Sequence, residues 1–519
     1  MSLVRSGSLL ITLARISRIL ATQKTQGYIV GGFIRDWLLG RETNDIDIAV
    51  VGAAPTIARE IAKEVAGRFV LLDQANDIAR VVMIEDARPG QESRGPEWHF
   101  DFSTLAGDIE SDLARRDFTI NAMALELSEF ITASRGARAR RRKSTDSPAA
   151  ERFPVSLIDP FSGENDLRDK TVRAVSERVF ETDAARLLRA VRLAAELDFT
   201  IEPKTECLIR RCCQSIAEVS GERVREELLR LLALPRAAHH LRYLDKLGLL
   251  VTLIPELAEG KGVEQPTTHF WDVFEHSLQT VATIEFLVRE SDWKYGNDDI
   301  LATAPWSGMI DTHLSQEVSS GSNHRVLLKL AGLLHDIAKP MTKSLDDTGR
   351  ARFLGHTKQG AAMAASILER LRFSNRETRL VETLVYYHLR PFQMGDQEFP
   401  TKRAVYRYLR DTGEAGIDIL LLALADYLAS RGPLASVDEW RGHCRLTNYI
   451  LAERDRQQAE ILPVKLIDGH DIIHAFELAP GPVIGKLLSM VNEAHASGEI
   501  STREEALALV RRELLAASK

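Results

Sequence analysis

Asp45 and Asp47, two residues apart in Asn44-Asp45-Ile46-Asp47-Ile48-Ala49-Val50-Val51, are the first side chains whose types and spacing can do chemistry. In an extended strand, side chains at i and i+2 share a face, so both carboxylates point one way while Ile46, Ile48 and Val50 point into a core. Two like charges side by side require a cation, and Mg2+ bridging carboxylates and triphosphate oxygens is the recurrent answer. Just upstream, Tyr28-Ile29-Val30-Gly31-Gly32 ends a strand pattern in two glycines and leads into Phe33-Ile34-Arg35-Asp36-Trp37, a helix start. Glycines there let backbone N–H groups approach a phosphate, with the helix N-terminus and Arg35 adding positive potential.

A second set of residues lies in the C-terminal half. His276 ends His269-Phe270-Trp271-Asp272-Val273-Phe274-Glu275-His276, and Leu333-Leu334-His335-Asp336-Ile337-Ala338-Lys339 follows, then Gly355-His356, Tyr387-His388 and Ala425-Asp426. Imidazoles and carboxylates converging from separate helices suit a divalent ion such as Mn, Fe, Ni or Mg. The four cysteines, Cys207, Cys212, Cys213 and Cys444, are too few and too irregular for a disulfide framework or a zinc knuckle, which points to a reducing, cytoplasmic compartment.

Residues 27–130 alternate short apolar runs (Tyr28–Val30, Ile46–Val51, Phe69–Leu72, Val81–Ile84, His99–Phe102) with helical patches (Thr56–Ala66, Asp117–Leu127), an α/β pattern. From about residue 180 helical periodicity dominates to the C-terminus. Leu9, Leu13, Ile16 and Leu20 share a helical face, so residues 1–26 read as a leading helix. Ala133–Ala150 holds Arg135, Arg138, Arg140, Arg141, Arg142 and Lys143 with few apolar residues and reads as a solvated loop, as does the Ser-, Gly-, Asn- and Asp-rich stretch Ser291–Asn323. The 519 residues suffice for several domains, and 45% hydrophobic with 27% charged residues is the balance of a folded soluble protein with no membrane span. With 67 Lys and Arg against 74 Asp and Glu, the net charge of −7 excludes a globally basic nucleic-acid coat, so any RNA contact is concentrated on one surface.

The Gly31-Gly32…Arg35-Asp36 and Asp45-Ile46-Asp47 segments resemble the nucleotidyltransferase superfamily that includes class II CCA-adding enzymes and bacterial poly(A) polymerases. The resemblance continues in order through Ala114-Arg115-Arg116-Asp117-Phe118-Thr119-Ile120-Asn121, Asp159-Pro160-Phe161-Ser162-Gly163, Thr182-Asp183-Ala184-Ala185-Arg186-Leu187-Leu188-Arg189 and Gly221-Glu222-Arg223-Val224-Arg225, covering about residues 27–235. It implies Asp45 and Asp47 as catalytic metal ligands, Arg116 on phosphate, Asp117 on the sugar hydroxyls and Asn121 as support. It also implies a neck helix in which Asp183 and Arg186 choose the incoming base, with Arg189 beside them. Spacing of i, i+3 puts both selectors on one helical face. Cytosine and adenine each present an amino donor beside a ring-nitrogen acceptor, which an Asp and an Arg match together; uracil and guanine present the reverse. Where the family has a carboxylate followed by Thr-Phe-Arg, this chain reads Phe100-Asp101-Phe102-Ser103-Thr104-Leu105, so Asp101 is a further metal candidate without the neighbouring arginine.

The order His…His-Asp…Asp resembles the HD phosphohydrolase superfamily, which implies His276, His335, Asp336 and Asp426 as ligands of a divalent transition metal or Mg2+, with His356 and His388 completing a second metal site or binding phosphate. The resulting expectation is an α+β chain: an α/β nucleotidyltransferase head with a mixed sheet at 1–168, an all-α neck and body at 169–262, an HD-type helical domain at 263–430 and a helical tail at 431–519. Its expected function is template-independent addition of CCA to tRNA 3′ ends from CTP and ATP. The alternatives are an A-adding, CC-adding or poly(A)-adding enzyme of the same fold, or a protein acting chiefly as an HD phosphohydrolase.

Overall fold

The computed structural model describes residues 7–74, 76–84, 97–105, 107–141, 156–266, 268–394, 399–459 and 466–517. The chain divides into two compact units, Met1–Glu218 and Val219–Lys519, and the division falls within the segment 169–262 read from the sequence as neck and body.

The first unit is built on a six-stranded mixed sheet of β1 (Gly27–Val30), β2 (Asp45–Val50), β3 (Arg68–Asp73), β4 (Ile78–Ile84), β5 (Glu97–Thr104) and β6 (Ala124–Glu126). The spatial order is β3-β4-β5-β2-β1-β6. β2 runs parallel to β5, which sets Asp47 opposite Asp101. β1 lies antiparallel between β2 and β6. Ile46 and Ile48 are fully buried, as the strand alternation demands, and the leading helix Gly7–Thr22 packs Leu9, Leu13, Ile16 and Leu20 inward. Beyond the sheet, a short helix Val179–Thr182 breaks before the neck helix Arg186–Leu197.

The second unit is helical. Helices Val273–Leu287, His324–Leu334 and Gly416–Arg431 are mostly buried, Asn375–Tyr387 buries one face, and Gly416–Arg431 is apolar on nearly all sides, as a central helix must be. At its C-terminal end, Gly469–Phe476, Pro482–Ala496 and Arg503–Ala517 enclose a core of their own around Ile472, Val491 and Val510. Among the described residues no helix is long and apolar enough to cross a membrane.

Three local readings are corrected. The patch Asp117–Leu127 is not a helix: Thr119–Asn121 is a single 3-10 turn and Ala124–Glu126 is a strand, because pairing with Tyr28–Val30 in the sheet overrides helical propensity. The loop expected from Ala133 is helical as far as Arg141, continuing a helix that starts at Leu127. Ala and Arg are strong helix formers, and Phe130 anchors the first turns edge-on against Phe33 and Trp37. Residues 142–150 of that stretch lie outside the described residues. Ser291–Asn323 contains helices Asp298–Thr303 and Gly308–Ser315 and a small hairpin. Asn297, Ser307 and Asn323, which read as loop residues, are the N-caps, their side chains accepting from Ile300, Ile310 and Val326 N–H.

Candidate active site and metal centre

In the first unit a cavity of about 590 Å³ opens at the ends of β1 and β2. Gly31, Gly32, Asp47, Arg116, Asp117, Asn121, Asp183, Arg186 and Arg189 all line it, so residues spread over more than 150 positions meet on one wall. Gly31 adopts φ 75°, a left-handed conformation that favours glycine. A Cβ there would sit 2.8 Å from Asp47 Oδ2 and 2.9 Å from Arg116 Nη1, so any side chain would displace one or both of those groups. Arg116 is held by Asp112 one helical turn earlier, whose Oδ2 accepts from Nε at 3.2 Å and from Nη2 at 3.1 Å.

The three head carboxylates are not equivalent. Asp47 faces the cavity, and burial pushes its pKa up to about 6, with Arg116 pulling it down and Asp101 and Asp45 pushing it up. Asp45 is exposed and lies 3.0 Å from His99 Nδ1. Asp101 is clamped by Arg80, which donates from Nε at 2.7 Å and from Nη2 at 2.8 Å, so both its oxygens are engaged. A carboxylate whose ionisation is opposed by burial and two neighbouring acids fits a cation site, whereas Asp45 and Asp101 engage His99 and Arg80 and do not line the cavity.

Arg35 differs from its sequence reading. It is buried, does not line the cavity, forms a bidentate pair with Asp36 and donates from Nη1 to Asn121 Oδ1 at 2.8 Å. Asn121 Nδ2 in turn donates to Asp117 Oδ1 at 3.0 Å, and Arg189 Nη1 to Asp117 Oδ2 at 3.4 Å. Arg35 is thus linked to Asp117 through Asn121.

Asp183 is extended (φ −155°, ψ 100°), at the break between Val179–Thr182 and Arg186–Leu197, and is not on a helical face. A turn with Arg186 N–H donating to Asp183 O brings the pair together, and Arg186 Nε lies 3.8 Å from Asp183 Oδ2. Arg186 Nη2 also donates to the Arg115 carbonyl at 2.8 Å, tying it to the segment that carries Arg116 and Asp117. Asn76 and Asp77, at the β3–β4 turn, line the cavity too. Nothing local marked them, since an Asn-Asp turn is common in any hairpin.

The second unit gathers His276, His335, Asp336 and Asp426 into one buried cluster, and Asp336, His356 and His388 into another. His276 Nε2 lies 3.0 Å from Asp426 Oδ1, 3.1 Å from His335 Nε2 and 3.3 Å from Asp336 Oδ2. The Nδ1 atoms of His335, His356 and His388 lie 2.9, 2.7 and 2.7 Å from the carbonyls of Gly332, Phe353 and Val385. A carbonyl only accepts, so each Nδ1 carries a proton and presents its Nε2 to the cluster, as ligand imidazoles do. Asp336 Oδ1 and the Nε2 atoms of His356 and His388 are buried without a hydrogen-bond partner. These orphaned acceptors fit divalent ions, with Asp336 shared between the two clusters. Burial opposes charge on His335, yet Asp336 and Asp426 raise its pKa to about 10, a measure of the positive charge the two acids require. Lys339, absent from the expected ligand set, puts Nζ 2.6 Å from Asp336 Oδ2.

Three family patterns match the chain: the Poly A polymerase head domain over residues 27–173, the probable RNA and SrmB-binding site of polymerase A over 198–261, and the HD domain over 273–431. Among solved structures, a Thermotoga maritima CCA-adding enzyme complexed with tRNA aligns with 99% of this chain and 98% of its own at a TM-score of 0.58 and 20% identity, a likeness of fold. A CCA-adding enzyme complexed with CTP aligns at a TM-score of 0.61 and 20% identity, over 98% and 96% of the two chains. The CC-adding tRNA nucleotidyltransferase of Thermus thermophilus is 31% identical over 93% of this chain and 92% of its own. The A-adding tRNA nucleotidyltransferase of Deinococcus radiodurans is 33% identical over 93% of this chain and 94% of its own, and on that match the chain belongs to the tRNA nucleotidyltransferase family.

Proposed function

We propose that this chain extends tRNA 3′ ends, adding C, C and A from CTP and ATP at the cavity of its first unit. The observation that carries the reading is the convergence on one wall of Asp47, Arg116 and Asp117 with Asp183 and Arg186. Asp45 and Asp47 would hold Mg2+, which would supply Lewis acidity and charge neutralisation for a triphosphate substrate. Arg116 binds the triphosphate, beside a glycine pair that lets it approach the backbone. Asp117, steadied by Asn121 and Arg189, accepts from the sugar hydroxyls. Asp183 accepts from the amino group of cytosine or adenine and Arg186 donates to the adjacent ring nitrogen, while uracil and guanine leave both unpaired. Residues 169–262 serve as neck and body against the tRNA, which is read by shape and backbone. In the test, labelled CTP and ATP are offered with tRNA lacking its terminal nucleotides, to the unaltered chain and to Asp47→Asn. Transfer by the first and none by the second is expected, and equal transfer by both overturns the assignment.

A single-step reading, addition of A alone, has a specific observation in its favour: the full-length match to an A-adding relative. The site accommodates it, since Asp183 and Arg186 accept adenine as readily as cytosine.

We further propose that residues 263–430, within the second unit, form a metal-dependent phosphohydrolase domain of HD type, with His276, His335, Asp336 and Asp426 holding one ion, and Asp336, His356 and His388 a second. The shared carboxylate and the inward Nε2 atoms support it. Lys339 restrains Asp336 and adds positive charge for a phosphate. Loss of metal-dependent phosphatase activity in His335→Ala, with tRNA extension kept, is the expected result; phosphatase activity surviving in that variant contradicts it.

A further inference from the structure

His313, His324 and Asp418 form a third buried cluster, used by neither site above. Asp418, on helix Gly416–Arg431, is fully buried. Its Oδ2 lies 2.7 Å from His313 Nε2 and 3.0 Å from His324 Nδ1, while its Oδ1 is buried with no hydrogen-bond partner. The two imidazoles come from different elements, His313 from helix Gly308–Ser315 and His324 from the first turn of His324–Leu334, with a hairpin between them. Their ring centroids are 4.2 Å apart.

A carboxylate taken out of water with one oxygen orphaned requires a compensating partner, and Asp418 Oδ1 finds none among the side chains around it. The three ligand atoms lie within 4.8 Å of one another. Parting by about half an ångström lets all three reach a central ion at the usual bond lengths of about 2.1 Å. The cluster is walled by protein on the His324 side, but His313 lines a cavity of about 750 Å³ that also takes in Arg410, Arg454 and Gln457. Three protein ligands from three elements leave one position of a tetrahedral ion unfilled, and His313 is the one of the three that borders the cavity.

We propose that His313, His324 and Asp418 bind a divalent transition ion of the zinc class, at a site separate from the HD centre. Two imidazoles and one carboxylate are a donor set that zinc, cobalt and nickel accept and that magnesium does not favour. Asp418 and Asp426 lie eight residues apart on one helix, about 12 Å along its axis, so the two sites share a scaffold without sharing a ligand. The cavity beside His313 is polar, lined by Arg410, Glu414, Arg454 and Gln457, with Arg410 paired to Asp411 and Arg454 to Asp455, so water is the ligand suited to the remaining position.

The test uses the full chain carrying His335→Ala and Asp336→Ala, which removes ligands from both HD clusters. After chelation, reloading with Co2+ and dialysis, one equivalent is expected to remain, with a visible absorption band of imidazole-ligated cobalt. Adding His313→Gln, or separately Asp418→Asn, is expected to remove both the equivalent and the band, with folding followed by circular dichroism. In the otherwise unaltered chain, His313→Gln is expected to lower the bound Co2+ count by one. A double variant that retains no cobalt, or a count and band indifferent to His313→Gln, overturns the proposal and leaves the cluster a hydrogen-bonded triad.

Discussion

Gly31 carries two constraints in one residue: a φ of 75°, and a Cβ position within 3 Å of both Asp47 and Arg116. Gly31→Ala is therefore expected to cost roughly 1–2 kcal/mol of backbone strain, a modest loss of Tm, while transfer falls more than tenfold because the Cβ displaces Asp47 and Arg116, the groups proposed to hold metal and phosphate. Transfer within twofold of the parent would contradict that packing. Asp183→Ala is expected to relax choice among the four nucleotides by roughly a hundredfold, the scale of a few kcal/mol for buried unpaired groups. Unchanged selectivity in single-nucleotide incorporation would mean that another element reads the base. At this scale the sequence was most legible where a motif is local: Arg116 and Asp117, neighbours in the chain, both line the cavity with Asp47, whereas Asp45, on the same strand face as Asp47, does not. Arg35 was misread because its partner Asn121 lies 86 residues away, and the fate of a guanidinium depends on what it meets in space. His313, His324 and Asp418 left no signal for the same reason.

Elements were legible where hydrophobic period was strong, as in β2 or the leading helix, and misread where polar residues carry the structure. Asn297, Ser307 and Asn323 each cap a helix, and the same side-chain chemistry that makes a cap makes a loop. Ala124–Glu126 joins the sheet only because β1 is there to receive it. One buried group binds several elements of the second unit together. Glu377, fully buried, accepts from Arg225 Nη2 at 2.7 Å, Ser322 Oγ at 2.6 Å and Ser374 N at 2.7 Å, the last closing a capping box on helix Asn375–Tyr387. Removing one partner of such a pair strands the other, so Glu377→Ala is expected to destabilise the second unit by about 3–5 kcal/mol in denaturant melts. A change below about 0.5 kcal/mol, the range of surface substitutions, would contradict this.

For the molecule as a whole, His240 predicts an acid limit. Burial lowers its pKa from 6.5 to about 4, with His239 adding repulsion. Above 6.5 the folded and unfolded chains are both neutral there; between 6.5 and about 4 only the unfolded chain takes the proton, so stability falls as pH falls. The loss reaches on the order of 3 kcal/mol by pH 4, and His240→Gln is expected to flatten the fall of Tm between pH 6.5 and 4.5. An unchanged pH slope would exclude His240 as the cause. The α+β architecture was foreseeable because strands alternate with helices only before about residue 130, whereas the division near Val219 was not, since it falls within continuous helical periodicity. The most direct test of nucleotide transfer in the first unit is incorporation of each labelled nucleotide, singly and together, into tRNA ending at the discriminator base, at C and at CC. Ordered addition of C, C and A that then stops, with UTP and GTP refused, is the predicted result. A alone on the CC-ended tRNA would select the single-step reading, and no incorporation on any of the three would contradict the account.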